Sequence, residues 1–549
     1  MFKTLMKYAN WIWKNSRGQR LAISAFILLR VLNICLNLFF IFASKRLIDI
    51  ATGVFAVPDQ HHAIVVWACI MATIVVLRIA IAGFNTRLQA TTYAKTNFLI
   101  RSRLFSALMQ SQWQGREKHH SGDSLNRLMM DGDIVTKLIT TELPACISTL
   151  FQLVASFIFL ATMEWKLAVV ILLMVPVFVL FGRIFTIRVR RYTKRIREKE
   201  SEVQSHIQES LQNKTVIQSL EKGSMMEDQL DDIQQAEFSQ ILKRARLNVF
   251  ARSTLGAAFN FGYLIAFLWG VTGIFRGTMT YGIMTAFLQL VGQIENPMAA
   301  LSQLIPSFIN ATNSIDRLME LTSNPMEETG EKIILGGVAG IRMDNVSFRY
   351  PDSDKDVLKD FSWDFKPGSR TAIVGETGAG KSTMIRLMLS LLRPTAGEIS
   401  IYDSERAVPA SSLTRPNLAY VPQGNTLFSG TIRDNLLLGN AEATDEQMWA
   451  ALDTAAADFV KDLPEGLDAP CGERGSGLSE GQAQRISIAR GLLRPGSILL
   501  LDEFSSSLDP ETEARLMENL SERDQDKTMI FITHREKIAE YCDNILRIG

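Results

Sequence analysis

Hydrophobic and polar positions divide the chain into two regimes. Over roughly the first 310 residues, apolar runs recur that approach or exceed the length of about 20 residues a helix needs to cross a bilayer. Candidate spans lie near 21–43, 63–84, 143–163, 167–182, 254–275 and 281–305. The fourth is short as an apolar run, but its helix can continue past the apolar zone. Glu164-Trp165-Lys166 reads as a tight turn between the third and fourth spans, and Arg276-Gly277-Thr278 as one between the fifth and sixth. Two intervening stretches, about 85–142 and 183–253, mix apolar and charged residues in a helix-like way with little Pro or Gly. They predict helical hairpins whose arms of about 28 residues reach roughly 40 Å. Their tips fall near Ser121-Gly122-Asp123-Ser124-Leu125 and Asn213-Lys214-Thr215-Val216-Ile217. These tips are candidate docking points; a merely solvated hairpin has the same pattern. Past Thr322-Ser323-Asn324-Pro325 the long runs stop, and short β-branched runs alternate with helical patterns, as in an α/β domain.

Charge orients the first regime. Lys14, Arg17 and Arg20 precede span one, and Arg183, Arg188, Arg190, Arg191, Lys194, Arg195 and Arg197 follow span four. Both flanks are therefore expected to be cytoplasmic, and six spans return the second half to that side. Met1–Trp13 reads as an amphipathic helix at the membrane surface. The net charge of +1 gives no argument for a nucleic-acid partner. Cys35, Cys69, Cys146, Cys471 and Cys542 include no C-x-x-C pair, which argues against a disulfide framework or a zinc site. His61-His62 and His119-His120 read as solvated pairs.

Polar residues inside the spans have two readings. Arg30, Asn33 and Asn37 share a face of span one, and Gln289, Gln293, Asn296 and Gln303 a face of span six. They line a polar translocation cavity or hydrogen-bond between helices. Arg78 is harder to place, since snorkelling is less natural near the middle of span two, and Pro176, Pro297 and Pro306 are expected to kink spans four and six.

The second regime carries chemistry. Thr371-Ala372-Ile373-Val374 leads into Gly375-Glu376-Thr377-Gly378-Ala379-Gly380-Lys381-Ser382, and a helical pattern follows. Strand, glycine loop and helix is the context of a phosphate loop. Glycines let backbone N–H groups approach phosphate oxygens at a helix N-terminus. Lys381 can reach the β- and γ-phosphates, the Ser382 hydroxyl can ligate Mg²⁺, and Thr383 adds a contact toward the α-phosphate. Ser497–Leu501 is a second buried strand, delivering Asp502 and Glu503 at its end. Asp502 suits the Mg²⁺ shell and Glu503 a general base that polarises the attacking water. Leu478-Ser479-Glu480-Gly481-Gln482 lies between these motifs and opens another helical stretch.

Together these motifs, in this order, resemble the nucleotide-binding domain of ABC transporters from about residue 340 onward. The resemblance implies further roles. Tyr350 matches the family's adenine-stacking aromatic, and Gln423 the glutamine that contacts Mg²⁺ and water and senses the membrane half. Asp509 in Ser507-Leu508-Asp509 matches a loop that crosses the dimer interface, and His534 the histidine that contacts the γ-phosphate. Ser479, Gly481 and Gln482 match a signature that completes the ATP site of a second chain. Gly472-Glu473-Arg474-Gly475 resembles a segment that meets the membrane half's loops. Two departures stand out: Ala483 replaces the family's usual Arg or Lys, although Gln484-Arg485 is retained, and Gly549 follows soon after His534, where members usually carry a further hairpin and helices.

The expected fold is an all-α six-helix transmembrane domain with long cytoplasmic helical hairpins, plus an α/β P-loop ATPase domain with a helical subdomain. The expected boundaries are 1–322 for the membrane domain, 323–339 for a linker and 340–549 for the ATPase domain. The cofactors implied are ATP and Mg²⁺. The resemblance implies a multi-pass exporter half in a lipid bilayer, here placed in a bacterial inner membrane with its ATPase domain in the cytoplasm. A complete motif set favours a homodimer, while a heterodimer with a second half-transporter stays compatible. An ATP-gated channel or regulatory scaffold shares the architecture. Lipid, drug, peptide and saccharide-linked lipid all fit as transported substrate.

Overall fold

The computed structural model describes residues 2–548 except 56, 114–120, 352, 377, 473–476 and 524–525, and side chains are undescribed at some helical positions, most of 170–186 among them. By contacts the chain forms two units: Met1–Phe105 with Leu125–Glu320, and Ser106–Ser124 with Leu321–Gly549.

The described part of the first unit is helical. It opens with α1 (Phe2–Asn15), α2 (Arg20–Ala51) and α3 (Gln60–Met109). The chain resumes as α4 (Ser121–Asn126), passes a π turn at Arg127–Asp131, α5 (Gly132–Lys137) and a second π turn at Leu138–Glu142, and continues as α6 (Leu143–Met163). Then come α7 (Trp165–Gln212), α8 (Lys214–Ser219), α9 (Gly223–Phe275) and α10 (Tyr281–Leu321). Each of the six apolar runs falls within one of these helices. By length and composition Arg20–Ala51, Gln60–Met109 and Asp123–Met163 can each cross a membrane. At 48 and 53 residues, α7 and α9 far outrun a bilayer. Their extra length forms the second hairpin, with the short α8 across its tip, where Asn213–Ile217 was expected.

Ile41, Leu160, Ala266, Phe287 and Leu290 form a shared core of α2, α6, α9 and α10, while Leu28, Val76, Val154 and Phe261 stay exposed. Outward apolar side chains are what lipid, unlike water, accommodates without cost. The polar residues pair between helices. Arg30 donates to Gln89 Oε1 at 3.0 Å, and Gln89 donates to Thr141 at 3.1 Å. Asn33 donates to the Arg78 carbonyl at 3.2 Å and accepts from Arg78 Nε at 3.5 Å, which supplies the partner the sequence left open. Gln152 donates to Gln293 at 2.7 Å. For these residues the structure realises the interhelical reading. The side chains of Pro176, Asn296 and Gln303 lie outside the described set. Pro297 and Pro306 lie inside α10, whose helical assignment continues through both.

The second unit is α/β. An antiparallel sheet is ordered β2 (Leu358–Phe365), β1 (Gly340–Phe348), β4 (Ala396–Tyr402), β5 (Ala407–Pro409). A parallel sheet is ordered β11 (Asn544–Ile548), β3 (Arg370–Gly375), β10 (Thr528–Ile532), β9 (Ile498–Asp502), β6 (Leu418–Val421). Every residue of β9 and β10 is buried, as a sheet covered on both faces requires. Helix α11 (Lys381–Met388) packs with β1, β4 and one face of the parallel sheet. The other face meets a helical subdomain: α12 (Ile432–Leu437), α13 (Asp445–Thr454), α14 (Glu480–Leu492) and α15 (Pro510–Arg523). A small hairpin of β7 (Gly430–Thr431) and β8 (Pro470–Cys471) and the short α16 (Glu536–Ala539) complete the unit.

The first hairpin differs from expectation. Helix α3 already ends at Met109, and Ser121 begins a new helix, so the chain turns before 121–125. The described residues of that turn belong to the ATPase unit. Ser111 forms a β-bridge with Met326, Gln112 N donates to Pro325 O at 2.8 Å, and Glu327 N to Gln110 O at 2.8 Å. Trp113 packs on the core of this unit, with the Arg386 guanidinium 4.8 Å from its ring centroid.

Candidate active site

The site is built at one edge of the parallel sheet. The loops after β3, β6, β9 and β10 carry the phosphate loop, Gln423, Glu503 and His534, the ligand edge of an open α/β sheet. Four stretches separated in sequence thus converge because their strands are neighbours.

The phosphate loop leaves β3 at Gly375 and enters α11 at Lys381. Gly378 and Gly380 adopt φ +92° and +96°, a left-handed conformation that L side chains resist. Gly380 is the N-cap of α11, so the first turn points its free N–H groups into the loop. Lys381 Nζ donates to the carbonyls of Gly375 at 2.5 Å and Glu376 at 3.0 Å, and lies 3.3 Å from His534 Nε2. Burial lowers the Lys381 pKa, against the pull of Glu503 and Asp502. Thr383 Oγ1 and the Tyr350 hydroxyl are 3.0 Å apart, and Arg386 donates to that hydroxyl at 3.3 Å. The Tyr350 ring meets Phe348 edge-on at 4.9 Å. Thr377 lies outside the described residues; Ala379 and Ser382 lie in the loop and the first turn of α11.

Glu503 is the hub. Its carboxylate accepts from Gln423 Nε2 on one oxygen and meets His534 Nε2 at 2.9 Å on the other. Asp502, 5% exposed, touches only the Tyr420 hydroxyl at 3.4 Å among the hydrogen bonds described. Burial and the neighbouring Glu503 charge hold its carboxyl above the usual aspartate range. A buried carboxylate at a strand end, with no ion pair among the described contacts, is the kind of oxygen donor a hard divalent ion takes.

The signature opens α14. Ser479 is its N-cap, accepting from Gln482 N at 3.2 Å, while Ser479 N donates to Gln482 Oε1 at 2.9 Å. This capping box leaves the exposed Ser479 and the helix N-terminus facing outward. Among the described residues, none of the hydrogen bonds of Ser479, Gly481 or Gln482 goes to the phosphate loop of the same chain. Asp509 caps α15, accepting from Thr512 N at 2.9 Å, and that backbone bond lowers its pKa. Residues 473–475 of the segment before the signature lie outside the described set.

Sequence reading had no role for Tyr420, Arg386 or Trp113. Tyr420 lies on β6, three residues before Gln423, which the resemblance alone had marked. Trp113 carried no signal.

Comparison with known proteins fits this architecture. The profile of the ABC transporter transmembrane region matches residues 23–298, and that of the ABC transporter ATPase matches 358–506. A probable multidrug resistance ABC transporter ATP-binding/permease protein, YheI of Bacillus subtilis, is 31% identical over 464 residues, 82% of this chain and 77% of its own. An ATP-dependent lipid A-core flippase of Pseudomonas fluorescens is 31% identical over 452 residues, 81% and 75% of the two chains. A solved structure of a bacterial Atm1-family ABC exporter with ATP bound superposes with a TM-score of 0.80 at 23% identity, covering 97% of this chain and 94% of that one.

Proposed function

From the premise that this chain belongs to the ABC transporter family, as an ATP-hydrolysing exporter half with both domains fused, we propose that two copies work as a dimer with two reciprocal ATP sites. The division we propose is 1–322 for the membrane domain, 323–339 for the linker and 340–549 for the ATPase domain, which lies in the cytoplasm below a bacterial inner membrane.

In each site Lys381 and the first turn of α11 hold the β- and γ-phosphates, and Tyr350 stacks on the base. Mg²⁺ would be held by Ser382, Asp502 and Gln423, and would neutralise charge on the phosphate oxygens. Glu503 accepts the proton of the attacking water; His534 donates to a γ-phosphate oxygen; Gln423 orients the water. Ser479 and Gly481 of the partner copy close the site from the other side. The single observation that carries this reading is the Glu503 carboxylate shared between Gln423 and His534, with Lys381 beside them. Closure of the dimer biases the membrane unit because each ligand binds one of two states better.

Glu503→Gln in the full-length protein is the test. Steady-state phosphate release falls by on the order of 10²–10⁴-fold while ATP is still bound. Wild-type turnover in that variant would remove Glu503 from the role of base.

A further inference from the structure

Gln484 lies near the start of α14 and is fully buried. Its Nε2 donates to the backbone carbonyl of Glu503 at 3.2 Å. Its Oε1 is buried with no hydrogen-bond partner among the described residues. A half-satisfied amide in the interior is costly, so an apolar side chain of this size would pack there with less penalty. The bond it makes is to an unusual residue. Glu503 adopts φ +44°, a left-handed conformation that a non-glycine residue holds only when its surroundings impose it.

All four polar groups of Glu503 are held. Its N–H donates to Ile532 O at 3.0 Å, and its carboxylate is shared by His534 and Gln423. Ile532 ends β10, and Gln423 and His534 lie in the loops after β6 and β10 at the same nucleotide edge. The Glu503 carbonyl accepts from Ser506 N at 3.3 Å, in the turn that follows, and from Gln484, which comes from the helix that begins with the signature. That helix touches the segment after Glu503 a second time: a Cβ on Gly481 would lie 2.7 Å from Ser507 O, so backbone meets backbone there.

We propose that Gln484 is a positioning residue for hydrolysis, tying the placement of the signature helix to the backbone of Glu503. The base is then aimed at its own chain's ATP when Ser479 and Gly481 have engaged the partner's. This rests on Glu503 being the base. Without the amide donor, the carbonyl of Glu503 keeps only the local bond from Ser506 N and loses its tie to α14, the backbone relaxes from the left-handed region, and the carboxylate leaves the Gln423–His534 pair.

The test uses the full chain in lipid nanodiscs. Gln484→Met keeps the volume and removes the donor. The expected result is a kcat about 10–100-fold lower with KM for ATP changed by less than about 2-fold. Added to Glu503→Gln, the same substitution changes residual single-turnover hydrolysis by less than about 2-fold, because both act on one group. A folded Gln484→Met with wild-type kcat overturns the proposal, as does a full loss repeated on the Glu503→Gln background. If Gln484→Met does not fold, Gln484→Glu reads the same link through pH. Its kcat relative to the unsubstituted chain rises on acidification, as the acid regains a donor; a pH-independent ratio overturns the proposal. Wild-type turnover in Glu503→Gln alone would instead fail the base assignment beneath it.

Discussion

The two units handle polar groups in opposite ways. Within the apolar spans of the membrane unit the polar contacts described above are dispersed: Arg30 with Gln89, Asn33 with Arg78, Gln152 with Gln293. Each is a local tie between two helices. In the ATPase unit polar groups are concentrated at one sheet edge, where Gln423 and His534 meet the Glu503 carboxylate and Lys381 lies against His534. Dispersed ties hold a fold and are individually replaceable. A concentrated cluster holds charges at a cost in stability, and that cost is the mark of a site built for chemistry.

Substitutions can break or sharpen this contrast. The largest effect is expected at the cluster: Lys381→Met lowers phosphate release by at least about 100-fold, since it removes the cation proposed to meet the transferred group. Ser479→Asp comes next. Asp caps a helix as well as Ser, so thermal unfolding stays within about 2 °C of the unsubstituted protein. In the proposed dimer a carboxylate would face the partner's phosphates, so hydrolysis is expected to drop by about 10-fold or more. An equal loss of Tm would mean that Ser479 serves α14 alone.

Asp502→Asn separates stability from activity. A carboxylate whose pKa is raised by folding binds its proton more tightly in the native state. Its contribution is therefore favourable when protonated and is lost as pH rises through the native pKa. At neutral pH the neutral amide removes that penalty, and the nucleotide-free protein melts about 2–4 °C higher, by calorimetry, while Mg²⁺-dependent hydrolysis is lost. The smallest effect belongs to the membrane unit. Gln293→Met breaks one interhelical bond, costs about 0.6 kcal/mol in unfolding experiments, and leaves detergent-solubilised ATPase activity unchanged. A larger loss of activity there would erase the distinction between the units.

The contrast also explains what could be read from the chain. The phosphate loop, the acidic strand end and the signature are contiguous words, because a turn, a strand end and a helix cap are each local physics. Ser479 with Gln482 three residues on is a capping box in sequence and in structure. The apolar runs were legible for the same reason, and so was the α8 tip. Arg78 was not, because its partner Asn33 is 45 residues away on another helix. Nor was Gln484, whose importance lies in a bond to a main-chain carbonyl and so leaves no complementary residue type to notice. The first hairpin's turn was placed too late, because what engages residues 110–112 is a pairing with 325–327, far away in the sequence.

That pairing has a consequence in time. Trp113 leaves the ribosome well before Arg386, the residue whose guanidinium covers its ring. At usual synthesis rates a gap of about 270 residues lasts roughly 15–55 s. For that interval the first loop's tryptophan is an orphan, and the ATPase unit is completed only by reaching back to a segment made long before it. A fragment cut from the C-terminal half alone would lack this earlier-made segment in every copy, and would show the uncovered Arg386 face to solvent.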